Sequence, residues 1–462
     1  MNENEGLRKE LSERQLTMIT LGGVIGAGLL VGSGSAIHAN GPAVIVSYIL
    51  AAGLIVLVMR QLAEMAVAHP SSGSFAVYAG DALGEWASYA IGWIYWYFWV
   101  IVIAFEATAG AATLHQLLPG IPVWIAAIVL LLMFYGVNMV SVKNFGEFEY
   151  WFALIKVVTI IIFLICGAVA IIGLFPGFDS PGIANLTGRG GFFPMGLSAV
   201  ATGFMIVIFP FIGIEMVAIA AAETPNPKEA VHKALNTVIW RLALFYVGSI
   251  TVIACLIPWD STDILKSPFV VVFENLGIPY AGTLMTLVVL TAVLSCLNSG
   301  LYTSSRMIYG IAETGAAPKI FTRTNKAGVP IVSLTLSVGV AVVFTLFNYI
   351  SPEVVFNFLL NASGSVGLLV YAVIGVSQII LRRRAQQEGK ELAVKMWGFP
   401  YLTYLAIAGI VYVIVVMILN PAMRVQVTTS GIVLALILLT YPIFKKRKAK
   451  DAPSEDALEE VS

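Results

Sequence analysis

Three ionisable residues stand inside otherwise apolar runs: Glu106, Lys156 and Glu215. A charge in the middle of a bilayer costs several kcal/mol, so it is kept mainly where it meets a partner, a substrate or an ion path. Glu106 can pair with a substrate ammonium or a lysine, or hydrogen-bond to a neighbouring helix. Lys156, between Ala153-Leu154-Ile155 and Val157-Val158, can serve as a fixed or titrating cation, which favours a proton over sodium as coupling ion. Its place about six residues into the run also allows it to snorkel. Glu215 can take part in proton exchange or cap an interrupted helix. A polar strip, Ser295-Cys296-Leu297-Asn298-Ser299-Gly300, precedes Tyr302, Ser305 and Arg306, and such side chains also bond helix to helix.

Glycines supply the second signal. The first apolar run reads Gly22-Gly23-Val24-Ile25-Gly26-Ala27-Gly28, then Gly32 and Gly34, and glycine lowers the cost of leaving helical geometry. An unwound turn at membrane depth is tolerated where its freed N–H and C=O groups meet protein, water or ligand. Amides opening a second half-helix suit a carboxylate, and carbonyls closing the first suit an ammonium. The spacing of Gly22 with Gly26 and of Gly28 with Gly32 also serves close helix packing. Five runs later, Phe209-Pro210-Phe211-Ile212-Gly213-Ile214-Glu215 places a proline, a glycine and a carboxylate midway along another apolar run. Two interrupted spans at that interval point to an inverted repeat with a site at its interface.

The elements that must position these groups are membrane helices. Of 462 residues, 59 % are hydrophobic and 11 % charged, against about 25 % charged in soluble domains. No Asp, Glu, Lys or Arg occurs between Arg14 and Arg60. The runs are solidly apolar rather than alternating, which excludes a porin-type barrel. Expected spans are 16–38, 43–66, 86–114, 121–141, 150–173, 196–221, 237–259, 277–305, 329–349, 354–379, 399–420 and 426–444. Breaks fall at Asn40-Gly41-Pro42, Pro119-Gly120, Pro176-Gly177, Pro258, Pro318 and Asn420-Pro421. The expected class is an all-α polytopic membrane protein of about twelve helices, with first and sixth broken. With both termini cytoplasmic, all of the 26 Lys and Arg except Arg189, Lys266 and Arg424 fall inside, as basic residues in short loops prefer. The basic clusters Arg382-Arg383-Arg384 and Lys445 to Lys450 read as topology determinants and lipid-headgroup contacts.

Several classes are excluded. Formal net charge is zero, so nothing points to nucleic acid. No Gly-x-x-x-x-Gly-Lys-Ser/Thr loop occurs, so ATP is not expected to drive the chain. His38, His69, His115 and His232 form no metal-ligand pattern, and Gly26-Ala27-Gly28 fails the dinucleotide fingerprint at Val31. Cys166, Cys255 and Cys296 lie in apolar runs and suggest no disulfide framework. The aromatic stretch Trp93 to Trp99 reads as interface anchors or packing. No enzyme, cofactor or metal is expected.

At these motifs the sequence resembles the amino acid, polyamine and organocation transporters, and within them the bacterial amino acid permeases. The resemblance covers nearly the whole chain. Its most specific parts are Gly22 to Gly34, Pro70-Ser71-Ser72-Gly73-Ser74-Phe75, Phe145-Gly146-Glu147-Phe148-Glu149-Tyr150-Trp151-Phe152 leading to Lys156, and Leu294 to Arg306. Through Ser141-Val142-Lys143 and Ser304-Ser305-Arg306-Met307 it is similar to permeases for gamma-aminobutyrate. The resemblance implies a LeuT-like fold of two inverted five-helix repeats plus two extra helices. It implies a carboxylate on the amides of Ala27, Gly28 and Leu29, and an amino group near the carbonyls of Val24, Ile25, Phe209 and Ile212. Phe209 would be the gate and Lys156 would replace a sodium site. Pro210 stands where relatives commonly have Ser or Ala.

The expected function is import of gamma-aminobutyrate or a related small amino acid by proton symport across a bacterial cytoplasmic membrane. Glu106 and Ser295 join the substrate site, and Lys156 and Glu215 carry coupling. An amino acid exchanger, or a permease for another neutral or aromatic amino acid, is the alternative; a sensor or channel is the different class. The expected organisation is an N-terminal tail (1–15), a transmembrane domain (16–444, with repeats at about 16–173 and 196–379 and extra helices at 399–444) and a C-terminal tail (445–462). Expected partners are the amino acid and the lipid bilayer.

Overall fold

The computed structural model describes residues 7–30, 32–265, 267–350 and 365–451. The first span is three pieces: α1 (Glu13–Val24), α2 (Ala27–Leu30) and α3 (Ser33–Asn40). Ser12 starts it with a capping box, its hydroxyl accepting from the Gln15 amide while the Gln15 side chain accepts from the Ser12 amide at 2.9 Å. There follow α4 (Val44–Ala68), the short α5 (Ser74–Leu83), α6 (Glu85–Leu117), α7 (Val123–Val140), α8 (Val142–Ile171) and a single turn, α9 (Ala184–Thr187). The sixth span is α10 (Ser198–Val207) and α11 (Met216–Ala220), separated by a 3-10 turn at Phe209–Phe211. After it come α12 (Pro227–Leu256), α13 (Pro268–Asn275), α14 (Ala281–Glu313) and α15 (Ile331–Ile350). The last three are α16 (Val366–Gln387), α17 (Tyr401–Leu419) and α18 (Pro421–Asp451).

Each expected span therefore falls on a helix or an interrupted helix, and the two interruptions head two successive runs of five. Residues 354–364 of the tenth expected span lie outside the described residues. Among the described residues, nine helical segments are long and apolar enough to cross a membrane, and Ala243–Leu256 and Ile331–Phe347 are shorter apolar helices. A helix rises 1.5 Å per residue, so the 33 residues of α6 and of α14 exceed the roughly 30 Å of hydrocarbon.

Several boundaries differ from the sequence expectation, among them the starts of the seventh and twelfth helices at Pro227 and Pro421 and the end of the tenth at Gln387, and two others bear on the site. The fifth helix begins at Val142 rather than 150, because Ser141 caps it by accepting from the Asn144 amide at 3.0 Å. The eighth continues to Glu313, since Arg306 is buried and ion-paired rather than marking the membrane edge.

Polarity is distributed inside out. Glu64, Glu106, Glu149, Lys156, Glu215, Glu223 and Arg306 are all buried, while Val129, Leu132, Ile161, Ile165, Leu405, Leu436 and Leu439 are exposed. Such a surface is stable only against lipid. The centre is a layer of α1, α6, α8, α11 and α14, with α6 and α14 packed along each other. Tyr95, Phe98 and Trp99 of the aromatic stretch lie inside this layer, packed edge-to-face and stacked.

Candidate functional site

The site is built from two failures of helical geometry. In the first span the Gly26 amide turns back to the Val24 carbonyl at 3.0 Å, and the Leu30 amide closes on the Gly26 carbonyl at 3.3 Å. Ala27, Gly28 and Leu29 thus form an opening turn whose amides have no intrahelical acceptor. In the sixth span Pro210 contributes no N–H, Ile212 is extended, and Gly213 turns with φ +115°. A side chain at Gly213 would be strained there. The two breaks meet: a methyl placed on Gly28 would lie 3.4 Å from Pro210 Cγ.

Tyr246 of α12 joins them. Its hydroxyl lies 3.0 Å from the Val24 carbonyl and 2.7 Å from the Pro210 carbonyl, one proton serving both. Its ring stacks on Phe211 at 4.4 Å. Nothing in the sequence marked this tyrosine, which carries no charge and sits in an ordinary apolar run.

A cavity of about 910 Å³ opens from the breaks. Gly28, Gly32, Glu106, Phe209 and Pro210 line its floor, and Thr113, Gln116, Ser267, Thr286 and Gln426 line it farther out. The outer residues lie toward the C-terminal end of α6 and the N-terminal ends of α14 and α18, so the cavity opens on the face opposite the start of α1. Glu106 Oε1 lies 3.3 Å from where a methyl on Gly26 would be, while its buried Oε2 has no hydrogen-bond partner.

Of the residues expected in the site, the structure brings Gly28, Phe209 and Glu106 to this cavity, and Ala27 is the first residue of α2. Leu29 and Ile212 are buried and do not line it. The Val24 carbonyl is bonded to Tyr246 and the Gly26 amide, the Ile25 carbonyl accepts from Lys156, and the Phe209 carbonyl accepts from the Ile212 amide. Ser295, Lys156 and Glu215 lie off the cavity in two polar clusters.

The first cluster lies against α1. Lys156 is 1 % exposed, so it turns inward and does not snorkel. Its Nζ donates to the Gly22 carbonyl, to the Ile25 carbonyl at 3.0 Å and to Ser295 Oγ at 2.9 Å. Ser295 in turn donates to Glu149 Oε1, and Asn298 donates to Glu149 Oε2 at 3.2 Å. Asn138 donates to Asn298 at 2.8 Å. An ammonium thus sits where α1 ends, the favourable place for a cation.

The second cluster lies in the sixth-span break. Glu215 accepts from Tyr95 at 2.9 Å, Tyr371 at 2.8 Å and the Gly213 amide at 3.0 Å. It therefore ties the break to α6 and α16.

Below both, the face bearing the start of α1 is sealed. Arg306 and Tyr302 each donate to Glu223 Oε1 at 2.9 Å, and Arg306 lies 4.2 Å above the Tyr302 ring. Phe145 stacks on the other side of that ring at 4.2 Å, and the Leu11 amide donates to the Glu223 carbonyl at 3.0 Å.

A bundle with two facing interrupted helices, a polar floor between them and access from one face defines a membrane carrier. The sequence profile of the amino acid permeases matches residues 15–453, and the chain belongs to that family. It is 51 % identical over 453 residues to the gamma-aminobutyric acid permease of Bacillus subtilis (strain 168), covering 98 % of this chain and 97 % of that one. It is 46 % identical to the gamma-aminobutyric acid permease of Escherichia coli (strain K12), covering 95 % and 94 %. To the aromatic amino acid transport protein AroP of Corynebacterium glutamicum it is 41 % identical, covering 94 % and 95 %. In fold it is similar to the crystal structure of the Eremococcus coleocola manganese transporter in complex with an aromatic bis-isothiourea substituted compound, with TM-score 0.57, 14 % identity and coverage of 97 % and 98 %. The chain is thus a multi-pass amino acid transporter and not an enzyme.

Proposed function

We propose that this permease imports gamma-aminobutyrate by proton symport across a bacterial cytoplasmic membrane, both termini lying in the cytoplasm. The observation that carries the reading is the cavity floor. There the opening amides of α2 offer partial positive charge to a carboxylate, and the unpartnered oxygen of Glu106 offers a negative partner to an ammonium. A donor end and an acceptor end of opposite charge fit a zwitterion, and two relatives that bear the name of a gamma-aminobutyric acid permease support the substrate.

In the cycle, substrate enters the cavity and bridges the amides of Ala27 and Gly28 to Glu106, and Phe209 closes over it. Lys156 carries the coupling proton, because its acceptors include the Gly22 and Ile25 carbonyls at the movable end of α1. Glu215, bonded to three donors, holds the sixth-span break while the first rearranges. The cytoplasmic seal of Glu223, Arg306 and Tyr302 then opens in alternation with the cavity. A membrane potential supplies about 2.3 kcal/mol per charge per 100 mV.

The test is uptake of labelled gamma-aminobutyrate into proteoliposomes in sodium-free buffer under an inward proton gradient, collapsed in the control. Saturable, gradient-dependent accumulation is expected. No uptake overturns the substrate, and counterflow without net accumulation makes the protein an exchanger. Full proton dependence in Lys156→Ala removes Lys156 from the coupling step.

A further inference from the structure

Glu149 lies beyond the cavity, and the cycle above leaves it without a role. It is fully buried, one cluster away from the substrate floor, and so close to α1 that a methyl on Gly22 would overlap its Oε1. Seven residues before Lys156 on α8, it shares a helix face with that lysine and lies nearer the sealed face. The hydroxyl between them has a defined sense, since Ser295 accepts from Lys156 Nζ at 2.9 Å and donates to Glu149 Oε1. An ammonium cannot accept and a carboxylate cannot donate, so the two charges orient the serine.

We infer that Glu149 is the second proton carrier of the transport cycle, receiving through Ser295 the proton that Lys156 releases. One Nζ–H bond breaks as a new Oγ–H bond forms on Ser295. The original Oγ–H proton passes to Glu149 Oε1. A charged pair becomes a neutral amine and a carboxylic acid, and the serine is regenerated with its hydroxyl reversed. Lys156 then no longer presents a full charge to the Gly22 and Ile25 carbonyls, so the α1 end is held less tightly as the proton moves toward the sealed face.

The charged and titratable groups acting on Lys156 are Glu149 on its own helix, Cys296 of α14 and Glu106 of α6. Lys156 is the charge acting on Glu149, whose donors are Ser295 and Asn298 of α14. From the other elements packed on α8, α7 brings Asn138, α12 brings Val252 against Gly167, and α13 brings Phe269 and Phe273 against Phe163. Asn298 and Asn138 hold the second carboxylate oxygen in place and supply no further acid.

The inference rests on the proton-symport reading, and the experiment separates the two. Wild-type full-length protein is first shown to accumulate gamma-aminobutyrate under the gradient; failure there overturns symport itself. Gradient-driven uptake divided by counterflow of the same variant is then measured for Glu149→Gln, Ser295→Ala and Ser295→Thr. The quotient falls about a hundredfold in Glu149→Gln and Ser295→Ala, and Ser295→Thr restores it. A wild-type quotient and pH profile in either of the first two overturns the relay. Infrared spectroscopy of purified protein titrated in pH gives a readout independent of transport and usable where a variant is inactive. The carbonyl stretch of a protonated buried carboxyl disappears in Glu149→Gln and persists in Glu106→Gln; the reverse pattern overturns the assignment.

Discussion

The two interrupted helices are held by opposite charges in opposite ways. At the first, Lys156 reaches from α8 to two carbonyls at the end of α1 and to one serine hydroxyl. At the second, Glu215 belongs to the interrupted chain itself and gathers two tyrosine hydroxyls and one amide. Losing the proton shared with Ser295 weakens one contact set, because the amine keeps two N–H donors for the carbonyls but no longer a full charge. Removing Glu215 strands three buried donors together. The first break is therefore suited to change state, and the second to stay fixed as its frame.

The largest expected effect breaks the frame. Glu215→Ala leaves the Tyr95 and Tyr371 hydroxyls and the Gly213 amide buried without an acceptor. At about 1–3 kcal/mol for each such group, thermal unfolding in detergent drops sharply and uptake is lost. If the variant melts with the wild type, the contrast between the two breaks collapses.

Next comes the movable side. Lys156→Ala lowers gradient-driven uptake by about a hundredfold while costing less in melting temperature than Glu215→Ala, because two of its three partners are carbonyls, each with a second lone pair, and Glu149 keeps its Ser295 and Asn298 donors and can take up a proton once its counter-charge is gone. Equal losses of stability would make both breaks structural.

At the floor between them, Glu106→Gln removes the charge but keeps the shape. A hydrogen bond to a charged partner contributes about 1.5–3 kcal/mol, so KM for gamma-aminobutyrate rises by roughly tenfold or more while the melting temperature changes little.

The smallest effect is that of Tyr246→Phe, which keeps the stack on Phe211 and deletes the hydroxyl shared by the two breaks. A loss of about 1 kcal/mol, seen in thermal unfolding, sharpens the picture of two elements pinned at one point.

The frame was legible in the sequence to different depths. Gly22 to Gly34 read as a break or as close packing, and Pro210 to Gly213, five runs later, tipped the reading to two paired breaks. Glu106, Lys156 and Glu215 stood out because each is alone among apolar neighbours. Glu149 did not, because Glu147 and Lys143 beside it made the stretch read as the edge of a span, and only the Ser141 cap shows that the helix begins earlier. Arg306 was hidden for the same reason, its partner Glu223 lying 83 positions away. Tyr95, Tyr246 and Tyr371 left no mark, because a tyrosine in an apolar helix has the same pattern whether it anchors an interface or holds a carboxylate.

The inside-out polarity also bears on how the chain is made. Lys156 and Glu149 belong to the fifth span and Glu223 to the end of the sixth, yet Ser295, Asn298 and Arg306 all arrive with the eighth. Glu64 of the second span waits longer still, for Gln378 and Arg382 of the tenth. During synthesis these earlier spans must enter the bilayer carrying charges that cost about 2.5–3.5 kcal/mol each at membrane depth, before these later partners are made. A chain truncated before α14 is thus expected to be a poorly held intermediate and a target for membrane proteases, whereas one ending after α16 has all of these pairs in place.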